Sequence, residues 1–110
     1  MRQGESWWTD LNPSTGSKQR GRRAVLVISG NLLNKYLEVV LVVPLTTQIK
    51  GYKGNPILEP NSLNQLKLSS EALVFQVRSI SKFRLLEKIG DVEPEIIKEI
   101  KETLNDILTL

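Results

Sequence analysis

Trp7-Trp8-Thr9-Asp10-Leu11-Asn12-Pro13-Ser14-Thr15-Gly16-Ser17-Lys18-Gln19-Arg20-Gly21-Arg22-Arg23-Ala24-Val25-Leu26-Val27-Ile28 is the stretch whose reading decides the fold. Trp and Thr suit a pleated backbone, so Ser6 to Leu11 reads as a strand. Asn12-Pro13-Ser14 supplies turn chemistry that ends it. Ala24 to Ser29 is an uninterrupted apolar run of strand length, the pattern of a buried strand. The connecting segment carries Lys18, Arg20, Arg22 and Arg23. A basic loop held at its base by two strands can present fixed donors to phosphate; the same pattern also describes a plain solvated hairpin loop. In a strand, neighbouring side chains point to opposite faces. One of Trp7 and Trp8 therefore belongs to the core, and the other to a base-stacking platform or a subunit interface.

Outward from this hairpin, the pattern stays mainly β. Asn31 to Leu37 reads as a helical turn. Glu38 to Thr46, rich in Val, is the longest strand candidate. Pro44 cannot donate to a ladder, so it marks an edge position or a bulge. Thr46 and Thr47 fall where that strand leaves the sheet, a common place for functional side chains on a rigid base. Lys50 to Asn55 is a loop with two glycines, Pro56 to Glu59 a short edge strand, and Pro60 to Ser70 a polar loop. Ala72 to Val77 reads as a strand, Ser81 to Leu86 as a helical turn, and Glu87 to Val92 as the last strand. From Glu93 to Thr109, residues Ile96, Ile97, Ile100, Leu104, Ile107 and Leu108 recur at helical spacing on one face, which predicts a helix packed on the sheet. Pro94 suits its first turn, and Glu93 and Glu95 suit the positive end of its dipole. The expectation is a mainly β fold with α: one domain over residues 1–110, a small partial barrel of five to seven strands with a C-terminal amphipathic helix.

Two absences restrict the chemistry. The chain has no Cys and no His. Thiol nucleophiles, zinc ribbons, disulfides and imidazole acid–base catalysis are excluded. The net charge of +3 is uneven: Glu87 to Leu110 carries seven carboxylates and three lysines, leaving the rest at +7. A basic body with an acidic tail points to a polyanionic ligand on one face. No apolar h-region follows the first residues. No apolar run reaches the ~18–20 residues of a membrane span.

Several motifs resemble one family. Gly4-Glu5, Trp7-Trp8, Asp10 to Pro13, Gly16 to Gln19 and Gly21-Arg22-Arg23 are similar to the N-terminal signature of the MazF/PemK toxin endoribonucleases. Pro44-Leu45-Thr46-Thr47-Gln48 with Lys50-Gly51-Tyr52 resembles the second motif of that family, and Gln76-Val77-Arg78-Ser79-Ile80 the third. The resemblance implies an SH3-like barrel, a homodimer, and a cytoplasmic toxin paired with a cognate antitoxin protein. It also implies a metal-independent, sequence-selective endoribonuclease that cuts single-stranded RNA through its own 2′-OH, with Arg23 and Thr46 as the catalytic pair and no cofactor. Gln19, Thr47 and Gln48 are secondary candidates for RNA binding. Lys18, Arg20 and Arg22 are expected on flanking phosphates, and Arg78 either in the same groove or in a surface ion pair.

Two positions depart from the family pattern. Phe75 and Lys18 stand where several relatives carry carboxylates, so the general base is not assigned, and neither Asp10 nor Glu71 can be promoted to that role from the sequence. Phe75 is expected to fill the core or stack a base, with the core favoured. Two further readings stay open: a non-catalytic toxin of the same fold that inhibits a protein target such as DNA gyrase, and an inactive RNA-binding descendant.

Overall fold

In the computed structural model the described residues are 1–10 and 22–109. The basic loop with Lys18, Gln19 and Arg20 lies outside them. The strands that flank it, β1 (Glu5–Asp10) and β2 (Arg22–Val27), pair antiparallel, with Trp7 opposite Val25, Trp8 opposite Ala24 and Thr9 opposite Arg23. On the far side of β2 runs β3 (Val39–Thr46), with Val25 opposite Pro44 and Val27 opposite Val42. The remaining strands are β4 (Ile57–Leu58), β5 (Ser70–Ala72), β6 (Arg78–Ser81) and β7 (Leu85–Asp91). They form one seven-stranded antiparallel sheet in the order β4-β5-β3-β2-β1-β7, with β6 also on β3. The register of β1 against β7 shifts twice, and such irregularities bend a sheet and increase its twist. The outcome is the expected half-barrel, with α1 (Asn31–Tyr36) before β3 and α2 (Pro94–Thr109) at the C-terminus.

Alternation along the strands feeds two apolar clusters. Leu26, Ile28, Val43 and Leu45 pack with Ile97 and Ile100 of α2. Their neighbours Val25, Val27, Val40 and Val42 pack with Ile80 and Leu85, and Trp7 covers this second cluster. Each buried aliphatic side chain stabilises by about 1.5–3 kcal/mol, so an apolar β2 is fixed on both faces. The two tryptophans do divide: Trp7 packs on the core and Trp8 is 37% exposed.

The structure differs from the sequence pattern at four points. Pro44 sits in a central strand, not at an edge. Its carbonyl accepts from Leu73 N–H, so its ring nitrogen points to the same side, where β6 has ended at Val42 and β5 begins at Leu45. The missing donor falls where the partner strand changes. The run Ala72 to Val77 is not a strand: β5 ends at Ala72 and a 3-10 turn covers Val74–Gln76. Asn55 Oδ1 accepts Val74 N–H at 3.2 Å, so that amide is used outside the ladder. The chain then returns as β6, a short and mostly polar strand that the sequence pattern did not mark. Finally, Ile107 and Leu108 do not pack on the sheet; Leu108 is 85% exposed.

One glycine positions the loop that will border the site. A Cβ on Gly90 would lie 2.3 Å from the carbonyl oxygen of Asn64, so only glycine admits the Leu63–Asn64 backbone against β7. Buried Asn64 completes the arrangement, accepting N–H groups of Asn61 and Leu66 and donating to the Glu59 carbonyl.

Candidate active site

The start of β2 and the end of β3 open into a cleft of about 570 Å³. Trp8, Arg22, Arg23 and Ala24 line one wall, and Leu45 to Gln48 another. The loop residues Gln65 to Leu68, with Ser70 and Ile89, close the rest. The β2–β3 pairing ends at Val25–Pro44, and Arg23 and Thr46 stand two residues beyond that pair on their strands. Thr46 is in turn paired with Glu71 of β5, and Arg23 with Thr9 of β1. Directly paired residues share a face, and so do residues two apart in a strand, so Thr9, Arg23, Thr46 and Glu71 form one row on the same face of four strands.

The members of this row are in different states. Thr9 is fully buried and donates to the Arg84 carbonyl at 2.7 Å, anchoring β1 beneath the cleft. Arg23 is exposed, and among the described residues no carboxylate lies within ion-pair distance of it. A planar guanidinium in this state can hold two oxygens of one phosphate. Thr46 Oγ1 accepts Gln48 N–H at 3.1 Å, a local turn that uses an acceptor site of the hydroxyl and leaves its proton to be donated.

Glu71 is the opposite of a free charge. Its Oε1 accepts Lys50 N–H at 2.7 Å and Gly51 N–H at 3.1 Å; its Oε2 accepts Tyr52 N–H at 3.1 Å and Asn55 Nδ2 at 2.9 Å. The Asn55 amide first, and then the three backbone donors, outweigh desolvation and hold the carboxyl down at about 2. A general base works best with a pKa near the operating pH, so Glu71 is unsuited to that role. Its chemistry is spent on shaping the Lys50–Asn55 loop.

The arginines that look equivalent in the sequence are also distinguished. Arg22 lies over the Trp8 ring, 5.4 Å from its centroid, and its Nη2 is 3.7 Å from Glu87 Oε1. It shares its charge with two protein partners. Thr47 and Gln48 line the same cleft as Arg23 and Thr46. Arg78 does not: it pairs with Val42 in β6, away from the cleft lining. Lys18, Gln19 and Arg20 fall outside the described residues. Phe75 is not in the core; it is 58% exposed and meets Tyr52 edge to face. In the wall formed by Gln65 to Leu68 the sequence singled out no side chain, only the polar loop Pro60 to Ser70 that contains it. The available signal was Gly90, which has meaning only once Asn64 is seen against it.

Comparison with known proteins gives a consistent result. Residues 2–108 match the family described as PemK-like, MazF-like toxin of type II toxin-antitoxin system. The endoribonuclease toxin MazF of Escherichia coli K12 is 35% identical over 106 residues, covering 96% of this chain and 91% of that protein. The crystal structure of MazF from Deinococcus radiodurans is similar at a TM-score of 0.80 and 26% identity, covering 100% of this chain and 97% of that one. A mycobacterial endoribonuclease in complex with its cognate antitoxin has the same fold, with a TM-score of 0.81 at 23% identity over 100% of this chain and 96% of that one.

Proposed function

This chain belongs to the PemK-like, MazF-like toxins of type II toxin–antitoxin systems, and from that premise we propose that it is a cytoplasmic endoribonuclease acting on single-stranded RNA and restrained by a cognate antitoxin. The catalytic assignment is supported by Arg23 and Thr46 lining one cleft. The 2′-oxygen attacks the adjacent phosphorus while the bond from phosphorus to the 5′-oxygen breaks. A proton leaves the 2′-OH and one arrives on the 5′-oxygen, giving a 2′,3′-cyclic phosphate and a 5′-OH end. Negative charge grows on the non-bridging oxygens, and preorganised donors aimed there lower the barrier. Arg23 holds those oxygens as a fixed fork, and Thr46 donates its hydroxyl proton to the same phosphate. Thr47 and Gln48 bind the neighbouring backbone or base edges, and Arg22, with Lys18, Gln19 and Arg20, contacts flanking phosphates. The shared sequence motifs and the full-length likeness to proteins named endoribonucleases support this reading over a toxin that only binds a protein target.

The test is incubation of pure protein with single-stranded RNA in excess EDTA, with chemical analysis of the new ends. Cleavage with 5′-OH ends is expected. One 2′-O-methyl group at the scissile nucleotide should stop cleavage and leave binding intact. A strict divalent-metal requirement, or normal cleavage of the methylated RNA, would overturn the mechanism.

A further inference from the structure

Beside the cleft, two aromatic rings stand in solvent without the fold requiring it. Tyr52 is 57% exposed and Phe75 58%. Their centroids are 6.4 Å apart at an interplanar angle of 78°, an edge-to-face arrangement that leaves ring surface open. Both are held by the same hydrogen-bond system. Glu71 fixes the Tyr52 backbone directly and Asn55 through its side-chain amide. Asn55 then accepts Val74 N–H, which sets the turn carrying Phe75. Glu71 pairs with Thr46 in the sheet, so the anchor of the aromatic pair lies one strand spacing, about 4.8 Å, from the strand that carries Thr46. Lys50 and Lys53 lie within two residues of Tyr52 and make its loop positively charged.

We propose that the Tyr52–Phe75 pair is a stacking platform for a nucleobase next to the cleaved phosphodiester, and so a determinant of which RNA sequences are cut. This rests on the ribonuclease reading above and deepens it. A base has an apolar face and bears a charged backbone; an aromatic pair in a lysine-bearing loop, anchored one strand away from the cleft residue Thr46, matches both. Preorganisation by Glu71 and Asn55 reduces the entropy lost when the base docks. A single exposed ring would be ordinary surface; two rings fixed by one buried carboxylate in the row of Thr46 are a built feature.

The experiment uses a short single-stranded RNA carrying a mapped cleavage site, blocked by one 2′-O-methyl group for binding and unblocked for single-turnover cleavage. An abasic nucleotide is placed at each flanking position in turn. Phe75→Leu should weaken binding roughly five- to hundredfold, the range for one stacked base, with the cleavage rate at saturating protein unchanged. Phe75→Tyr should restore affinity. One abasic position should weaken wild-type binding strongly and Phe75→Leu binding hardly at all. Thermal melts confirm that each variant is folded. If wild type cleaves but no abasic position couples to residue 75, the platform is overturned and the ribonuclease reading stands. If wild type neither binds nor cleaves any RNA, both fall together.

Discussion

The Glu71 cradle and the Arg23 rim lie on either side of Thr46 in one row of the sheet, and they treat charge in opposite ways. Glu71 is buried and meets four N–H donors, so its negative charge is consumed within the protein. Arg23 is exposed, and no described carboxylate is within ion-pair distance, so among the described residues its positive charge is left open. The carboxylate with the most strongly perturbed titration is the structural one here. A depressed pKa made by a closed ring of donors indicates a finished interaction, and function is found at the charge left open. Arg22 is intermediate, shared between Trp8 and Glu87.

The largest effect should come from the open side. Arg23→Ala is expected to slow single-turnover cleavage about a hundred- to thousandfold, the loss of roughly 3–4 kcal/mol of transition-state stabilisation. Arg23→Lys should not rescue it, because an ammonium cannot fork across two oxygens. Thr46→Ala removes one donor to a charged group and should cost about 1.5–3 kcal/mol, roughly ten- to hundredfold. A double variant little worse than Arg23→Ala alone would show that the two act as a unit. All four variants should melt near wild type. A folded Arg23→Ala with a near-normal rate would break the comparison.

The closed side should respond in stability instead. Glu71→Gln replaces an acceptor oxygen with a donor that faces N–H groups, and the melting temperature should fall by several degrees. Amide exchange should quicken at Lys50, Gly51 and Tyr52. The wild-type carboxyl titrates at about 2 when folded against an ordinary 4.5. The unfolded chain therefore binds this proton more readily. The Glu71 contribution to stability is complete above about pH 4.5 and is lost as pH falls toward 2. Denaturation profiles across that window should lose this component in Glu71→Gln, and identical acid sensitivity in both proteins would remove Glu71 from its anchoring role.

The smallest effect belongs to the shared charge. Arg22→Ala should reduce the salt dependence of RNA binding by about 0.7 in slope or less, the value for one phosphate contact on a single strand. An unchanged slope would mean that Trp8 and Glu87 hold Arg22 away from RNA.

Much of this was legible before the structure. The uninterrupted apolar run Ala24 to Ser29, the Val-rich stretch Glu38 to Thr46, and the helical period from Glu93 specified the strands and the helix that form the core. What misled was local ambiguity. Ala72 to Val77 has the apolar character of a strand, but a short apolar run does not state its own backbone. The exit at Leu73 depends on Asn55, about twenty residues earlier in the chain. Phe75 was expected inside because it is apolar, yet the turn that carries it faces outward. Leu108 fits the helical stripe, but the sheet does not extend beneath it.

The sequence alone determined the chemical inventory: no imidazole, no thiol, a basic half, and arginine and threonine at the ends of two apolar strands. Composition and period need no partner to be read. Only the tertiary structure decided which of those groups are free. Strand packing brings Arg23 and Thr46 to one cleft, proximity gives Arg22 to Trp8 and Glu87, and a loop folding back gives Glu71 its four donors. Each of these depends on contacts between residues far apart in the chain, and the availability of a charge is a property of its neighbours.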